Sequence, residues 1–486
     1  VTSYSYDTYN LYPTTVTNPL SQATTLTYDY SSGAVKQTTD PNGSVYTTVY
    51  DGLDRPLEEK IPDVNGSGQV TKATYEYTDT ANALKTKTRT YLDSSNIIDT
   101  YTYFDGLRRK IQTREEDATS SQFRVRDFVY THDVLLKESL PYFSNNSART
   151  TATTDADLYT SYTYDVLERV ITATTTVGTT TNSYNDWKTT VTDPVSKVKD
   201  IYRDAYDNII QVDEHESSTT RTTSYEYNVL GKLTKLTDAA GNIRNFTYDG
   251  VGNVLTAQDL HASADTTFGT WNYSYDDAGN LTSRTDPNSQ TVNFTYDDTN
   301  RVLTENYTGH SGTEVTYEYD TCSNGVGHLC EVENTVSTTN YNYNKLGQRS
   351  TEAMSIDSED FSTSYTYDRQ GNQLMINNPD WSQIQYLYDA GGLVNKIKHK
   401  EDSDANFSDV VSSITYNPVG LIDTIEYHNG STTTNTYDAD ELYRLQHKVT
   451  SASDDDIQDL TYTYDSVGNI LQIIDNSETN TAKTSD

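Results

Sequence analysis

Short runs in which apolar and polar residues alternate fill this chain from end to end. In Phe246-Thr247-Tyr248 the aromatic residues stand at i and i+2, so they share one face of a strand while Thr247 takes the other. Asp249 follows, a residue whose carboxylate accepts backbone N–H bonds two residues on and so ends the strand in a turn. Gly252 supplies a positive φ, with Asn253 the next-best residue type for such a position. Val254 and Leu255 then open a return strand, so the phrase spells a hairpin. It returns as Tyr275-Asp276 with Gly279-Asn280, Tyr367-Asp368 with Gly371-Asn372, and Tyr464-Asp465 with Gly468-Asn469.

With the second aromatic as an anchor, Tyr recurs at 6, 28, 50, 77, 103, 130, 164, 202, 227, 248, 275, 296, 319, 343, 367, 388, 416, 437 and 464. These nineteen anchors lie mostly 21 to 28 residues apart, a period that marks a repeat architecture. A second turn signal separates the units: DPNG at 40–43, DPVS at 193–196, DAAGN at 238–242 and DPNS at 286–289. The chain therefore reads as short strands joined by two alternating turn types, with helical periodicity nowhere. The expected fold is all-β, a largely antiparallel sheet of repeated hairpins in one continuous array over 1–486. Repeats are less regular over 1–215 and regular over 216–486. A Ser/Thr/Asn-rich loop insertion is expected near 138–160, a degenerate extra unit around Tyr184 and Trp187, and an acidic hairpin extension at 451–460.

Composition shapes this picture. Hydrophobic residues make up 34% of the chain, below the usual ~45–50% of a globular domain on a broader count that includes Gly. Tyrosine alone supplies 42 residues, and its apolar ring with a polar tip suits surfaces that face water or a lumen. Disorder is the competing reading of so polar a chain, but Tyr, Thr, Val and Ile favour strands and the polar residues fall at regular positions. A net charge of −36 argues against nucleic acid and anionic membrane as partners, since both would be repelled. No apolar run reaches 18 residues, so no membrane-inserting segment is expected. The chain starts and stops inside its repeat pattern without a signal peptide or a polar capping unit, which points to a piece of a longer polypeptide.

The repeated Tyr-Asp-x-x-Gly-Asn/Arg phrase, with turns such as that in TTDPNGSVYTTVYDGLDRP at 38–56, resembles the YD repeats (Rhs repeats). These occur in Rhs proteins, the shell-forming components of Tc toxins, and the animal teneurins. The resemblance covers nearly all of the chain, and YDTCSNGVGHLCEV at 319–332 and WKTTVTDP at 187–194 look like bacterial members. It implies a spiralling β-sheet that closes into a hollow shell or tube around a toxic polypeptide. Bacterial shells of this type end in a DPxGL-like motif linked to self-cleavage. Asp193-Pro194 and Asp286-Pro287 are not followed by Gly-Leu, so no protease role transfers to any residue here.

Catalytic and cofactor motifs are weak. Gly309-His310-Ser311-Gly312 resembles a nucleophile elbow, but Thr313 stands where GxSxG needs its last Gly. The loop from Asp63 to Gly68 resembles a calcium loop, yet Thr74 occupies the position of the bidentate Glu. The eight histidines form no helical i, i+4 zinc pair, and among 71 acidic residues carboxylate pairs arise by chance. No enzyme activity, metal or cofactor is expected. Cys322 and Cys330, the only cysteines, flank an expanded turn after Tyr319. A hairpin disulfide is the favoured reading, with two free thiols or a metal site including His328 as alternatives. Asn-x-Ser/Thr sequons at Asn245, Asn280, Asn293 and Asn306 arise from the repeat itself and imply no glycan.

The expected role is structural: a wall segment of a secreted or surface-delivered bacterial protein, enclosing a polypeptide cargo or the rest of the same long chain. The alternative, from the teneurin resemblance, is an adhesion module that binds glycans or surface proteins through exposed Tyr, Trp and Asp rows.

Overall fold

The computed structural model describes all residues except 81–82, 118–120, 154–157, 310–311, 453–454, 478–482 and 486, with backbone alone at 455–456 and 483–485. The insertion near 138–160, the extension at 451–460 and the His310-Ser311 pair therefore lie partly or wholly outside the described residues. What is described forms forty-three strands and no α-helix, because Thr, Tyr and Val at alternating positions never offer a helical apolar stripe. Each strand pairs antiparallel with its sequence neighbour, from Ser3–Tyr6 on Pro13–Thr17 to Ile470–Asp475 on Lys483–Ser485. The first and last strands each have a single partner, so the sheet is open.

Two places depart from the simple meander. Val134–Ser139 pairs with the C-terminal half of Phe123–Thr131, and Tyr142–Ser144 pairs with its N-terminal half. Pro141, which cannot donate to a ladder, stands at the break between them. The same split recurs where Val254–Gln258 and His261–Ala262 share Asn242–Tyr248. The first split holds the most deeply buried side chains, Arg114, Gln112, Val125, Asp127 and Ser139. There the Arg114 guanidinium donates to Gln112 Oε1 (2.9 Å), Ser144 Oγ (3.1 Å) and the Asn146 carbonyl. Gln112 Nε2 in turn donates to Asp127 Oδ1 (2.6 Å), and the Tyr142 hydroxyl donates to Asp127 Oδ2 (2.8 Å).

Elsewhere the interior is thin. The solvent-accessible surface is 27,485 Å², whereas a compact protein of this mass exposes roughly 18,000 Å². The excess is that of a sheet one layer thick with both faces near water. One face carries half-buried aromatic rows, as in Thr291–Tyr296, where Phe294 and Tyr296 are partly covered while Asn293 and Thr295 are exposed. The other face carries cross-strand threonine pairs, Thr163–Thr172, Thr247–Thr256 and Thr295–Thr304, each 2.7 Å between hydroxyl oxygens.

The curvature has a local cause. Register shifts by one residue at the anchor itself, as between Thr247 and Tyr248, and the same shift sits at Tyr28, Tyr164, Tyr296, Tyr388 and Tyr464. The extra residue lies in the return strand, so Leu255 is the bulge opposite Tyr248. A bulge bends its strand and sharpens the right-handed twist. Placed in the same part of unit after unit, it coils the sheet.

Candidate functional site: the repeat turns and the seam between coils

Each turn is built by one aspartate or, as at Asn228, Asn344 and Asn417, one asparagine. Asp249 Oδ1 accepts from the backbone N–H of Val251 (3.0 Å), Gly252 (2.7 Å) and Asn253 (2.8 Å). Asp249 N–H donates to the Asn253 carbonyl (2.9 Å), closing the hairpin. These bonds, the Asn253 N–H first, outweigh desolvation and hold the Asp249 carboxyl below the usual range. The carboxyls of Asp276 and Asp465 are lowered chiefly by hydrogen bonds from the Asn280 and Asn469 side chains.

Gly252 has φ 97°, and Gly279, Gly371 and Gly468 have φ 86°, 95° and 96°. Asn253 does not share that conformation, and its Nδ2 instead donates to Asp249 Oδ2 (2.8 Å). The same reach is made by Asn280 to Asp276, Asn372 to Asp368 and Asn469 to Asp465. Where arginine replaces the Asn, its Nε does this work, from Arg55 to Asp51, Arg109 to Asp105, Arg169 to Asp165 and Arg301 to Asp297. The guanidinium then stacks on the next aromatic ring, with Arg55 4.1 Å from the centre of Tyr77 and Arg169 4.1 Å from that of Tyr184.

The inter-unit turns are the same device. Asp40 Oδ1 accepts from the N–H of Asn42 (2.9 Å) and Ser44 (2.8 Å), and Asp286 does likewise with Asn288 and Gln290. The two turn types expected from the sequence are thus one turn used at both ends of the strands. Proline in DPNG and DPNS presets the second position of that turn.

The anchor tyrosines clasp one unit to the next. The Tyr248 hydroxyl donates to the Leu233 carbonyl (2.7 Å), and Leu233 is the residue paired with Tyr227, the preceding anchor. Tyr296 reaches Leu281, Tyr367 reaches Arg349, Tyr388 reaches Gln373 and Tyr464 reaches Leu445, in each case the partner of the preceding anchor. Tyr103 and Tyr202 do not occupy this position. Phe104 and Arg203 pair where an anchor should, one residue later, and the Tyr103 hydroxyl bonds the Ser147 carbonyl instead (2.8 Å).

Sequence reasoning missed the seam. Residues 279 to 301 positions apart meet because the coiled sheet returns upon itself. The side chain of Asn42 both accepts from the Val326 N–H (2.9 Å) and donates to its carbonyl (2.9 Å), and Ser44 Oγ donates to the Lys345 carbonyl (2.7 Å). Lys345 Nζ donates to the carbonyls of Asp63 (3.1 Å) and Gly66. Gln370 Nε2 donates to the carbonyls of Lys72 (3.3 Å) and Tyr91 (2.9 Å), and the Arg369 N–H donates to that of Leu92 (3.0 Å). Farther along, Gly391 faces the backbone of Asp117. A methyl group at 391 would lie 3.0 Å from Asp117 Cα, too close unless the coils separate. The pattern is directional: repeat turns of the later coil sit on inter-unit loops of the earlier one. No local pattern could announce pairs so distant, since they depend on the pitch of the whole coil.

Cys322 and Cys330 form a disulfide inside the expanded repeat turn that meets Asn42. Gly325 lies beneath it; a Cβ there would come within 2.6 Å of Cys330 Sγ. Among the described residues no group of three or more His, Cys, Asp or Glu is placed to hold a metal ion. No described helix is long and apolar enough to cross a membrane.

Repeated Tyr-Asp turns, a one-layer coil and a stacked seam invite comparison with known repeat walls. Residues 203–243, 227–264 and 275–310 match the RHS Repeat family. Within 203–310, then, the chain carries RHS repeats. By sequence no curated protein matches it. By structure the whole coil is similar to the crystal structure of TcdB2-TccC3, with a TM-score of 0.85 at 17% identity over 98% of this chain and 29% of that one. It is similar to the same pair without its hypervariable C-terminal region (0.85, 16%, 98% and 30%). A Photorhabdus luminescens Tc holotoxin pore gives 0.85 at 15% identity over 99% of this chain and 31% of that one. At such identity the likeness shows the fold, and this chain spans less than a third of each neighbour's length.

Proposed function

We propose that this RHS-repeat coil is a section of wall that encloses a polypeptide cargo within a larger toxin-type shell, and that its role is structural rather than catalytic. The observation that carries this reading is the seam. A sheet one layer thick returns upon itself and locks coil to coil through side chain-to-carbonyl bonds, which is what a wall requires and a compact enzyme core does not. The Tc toxin neighbours support a shell role, and a secreted or surface-delivered bacterial protein is the setting that role implies. The partners are then the cargo and further components of the same shell. Small-angle scattering tests the wall: the radius of gyration should clearly exceed the ~23 Å of a compact chain of this length. Electron microscopy should show a curved wall around a hollow, and a filled globule would overturn the reading. For the cargo, a polypeptide co-expressed with the full shell should resist protease until the shell is opened. Equal digestion inside and outside would reject enclosure while leaving the wall intact.

A further inference from the structure

One motif stands outside the turn grammar: the Asp63-Val64-Asn65-Gly66-Ser67-Gly68 loop with its calcium-like spacing. It joins Pro56–Pro62 to Gln69–Thr78, and the Asp63 N–H closes it on the Gly68 carbonyl (2.9 Å). That closure spans one residue more than the one from Asp40 to Ser44 in the inter-unit turn at 40–44. Asp63 Oδ1 accepts the Asn65 N–H (3.0 Å), and the carboxylate folds over Gly66, where any side chain would collide with it. Calcium is poorly served here, because it takes about six to eight oxygens, carboxylates among them. Thr74, at the twelfth position, lies in a strand opposite Glu58 and not in the loop.

A different cation sits there. The Lys345 ammonium of the later coil donates to the carbonyls of Asp63 (3.1 Å) and Gly66, which converge on this one nitrogen from 282 and 279 positions away. The carbonyl of Lys345 accepts from Ser44 Oγ (2.7 Å), so one residue is held at both ends and spans two loops of the earlier coil. The turn that carries Lys345 does not ask for a lysine. Asn344 Oδ1 accepts the N–H of Leu346 (2.9 Å) and Gln348 (3.1 Å), and sister turns make the first of these bonds with Gly52, Gly106, Gly250 or Ala390 in place of the lysine. The demand for a cation therefore comes from the loop across the seam. An ammonium meets it with one charge and directional N–H donors, beside a loop that also holds a carboxylate.

We propose that loop 63–68 is a binding site for a primary ammonium group, filled in this protein by Lys345, and that removing the lysine leaves a site that a free alkylammonium ion enters. This inference rests on the seam geometry and is independent of cargo enclosure.

Hydrogen exchange of the full chain carrying Lys345→Met tests it, since methionine keeps an unbranched stem and removes the charge. In sodium chloride, exchange over 63–68 should rise about ten-fold with the loss of a charge-assisted bond at a half-buried position. Methylammonium chloride at the same ionic strength should restore most of that protection. Tetramethylammonium chloride, equal in charge but without an N–H, should not. The wild type should exchange alike in all three salts, as should residues 281–296 in both proteins. Lys345→Gln repeats the test if the circular dichroism of the methionine variant departs from that of the wild type. Unchanged exchange on losing the lysine overturns the proposal. So does equal protection by the two ammonium salts, which would be charge screening, or rescue by calcium chloride alone, which would make the loop a calcium site. Raised exchange that no salt reverses would leave Lys345 a simple fastening and reject the site.

Discussion

Replacing Tyr248 with Phe removes one oxygen and keeps the ring. That oxygen donates to the Leu233 carbonyl at 2.7 Å and ties one repeat to the unit before it. A neutral hydrogen bond contributes about 1 kcal/mol net, and the orphaned carbonyl is only partly buried, so ~1 kcal/mol is the expected loss. Global unfolding is a poor readout, because a repeat array is held by neighbour contacts and need not melt as one unit. Local opening is the better one: 1 kcal/mol corresponds to roughly a five-fold faster amide exchange, since 1.4 kcal/mol is a factor of ten. Hydrogen exchange measured by mass spectrometry should show that increase across 233–248 and leave distant units unchanged. Tyr273→Phe is the control, since Phe246 fills the same position one unit earlier. If the two variants exchange alike, or Tyr248→Phe matches the wild type, the hydroxyl clasp is not what couples the units.

Three further outcomes follow from the same geometry. The Asp249, Asp276, Asp297 and Asp465 turn carboxyls titrate low when folded, with Asp297 brought down to about 2 by bonds from Arg301 and Thr299 that overcome its desolvation. The unfolded chain then binds more protons, so this stability is full above about pH 4 and lost as pH falls through the folded values. Strand circular dichroism should hold at neutral pH and decline toward pH 2, and an Asp297 titrating near 4 by NMR would count against the turn account. Reducing the Cys322–Cys330 bond removes a short-loop constraint worth about 2.5 kcal/mol in the chain-entropy picture, and should raise exchange both in 320–328 and in the loop at 40–44 that Asn42 joins to it. Unchanged protection at 40–44 would show that the disulfide does not brace the seam. Arg114→Met strands the buried acceptors of its guanidinium and should cost about 3 kcal/mol locally, seen as new protease cleavage in 144–153; a resistant loop would rule out the buried clamp.

Much of this molecule was legible locally. The Asp249-to-Gly252 turn could be derived from one carboxylate and one positive φ, and alternation alone marked the strands and excluded helices. The role of Asn253 was harder to see. Asn and Arg at that position look unrelated until both are found reaching back to the same Asp oxygen. The clasp left a trace in the sequence, since the anchor keeps Tyr while the residue two before it varies among Phe246, Tyr273, Leu26 and Ile414. That contrast points to a hydroxyl with a partner without naming it. At Tyr103 and Tyr202 sequence spacing misplaced the anchor by one residue, because only the bulge reveals which residue precedes the turn.

What the sequence determined by itself is the unit: strand, aspartate turn, strand, repeated at a period of some two dozen residues by interactions that span only a few positions. Tertiary structure alone decided that the units coil, that the ends of the sheet stay apart, and that Lys345 meets Asp63 and Gln370 meets Tyr91. Coil pitch is the sum of many small bends, one for each bulge. A slight change in each bend would bring different turns into contact, so no single stretch of sequence encodes the seam.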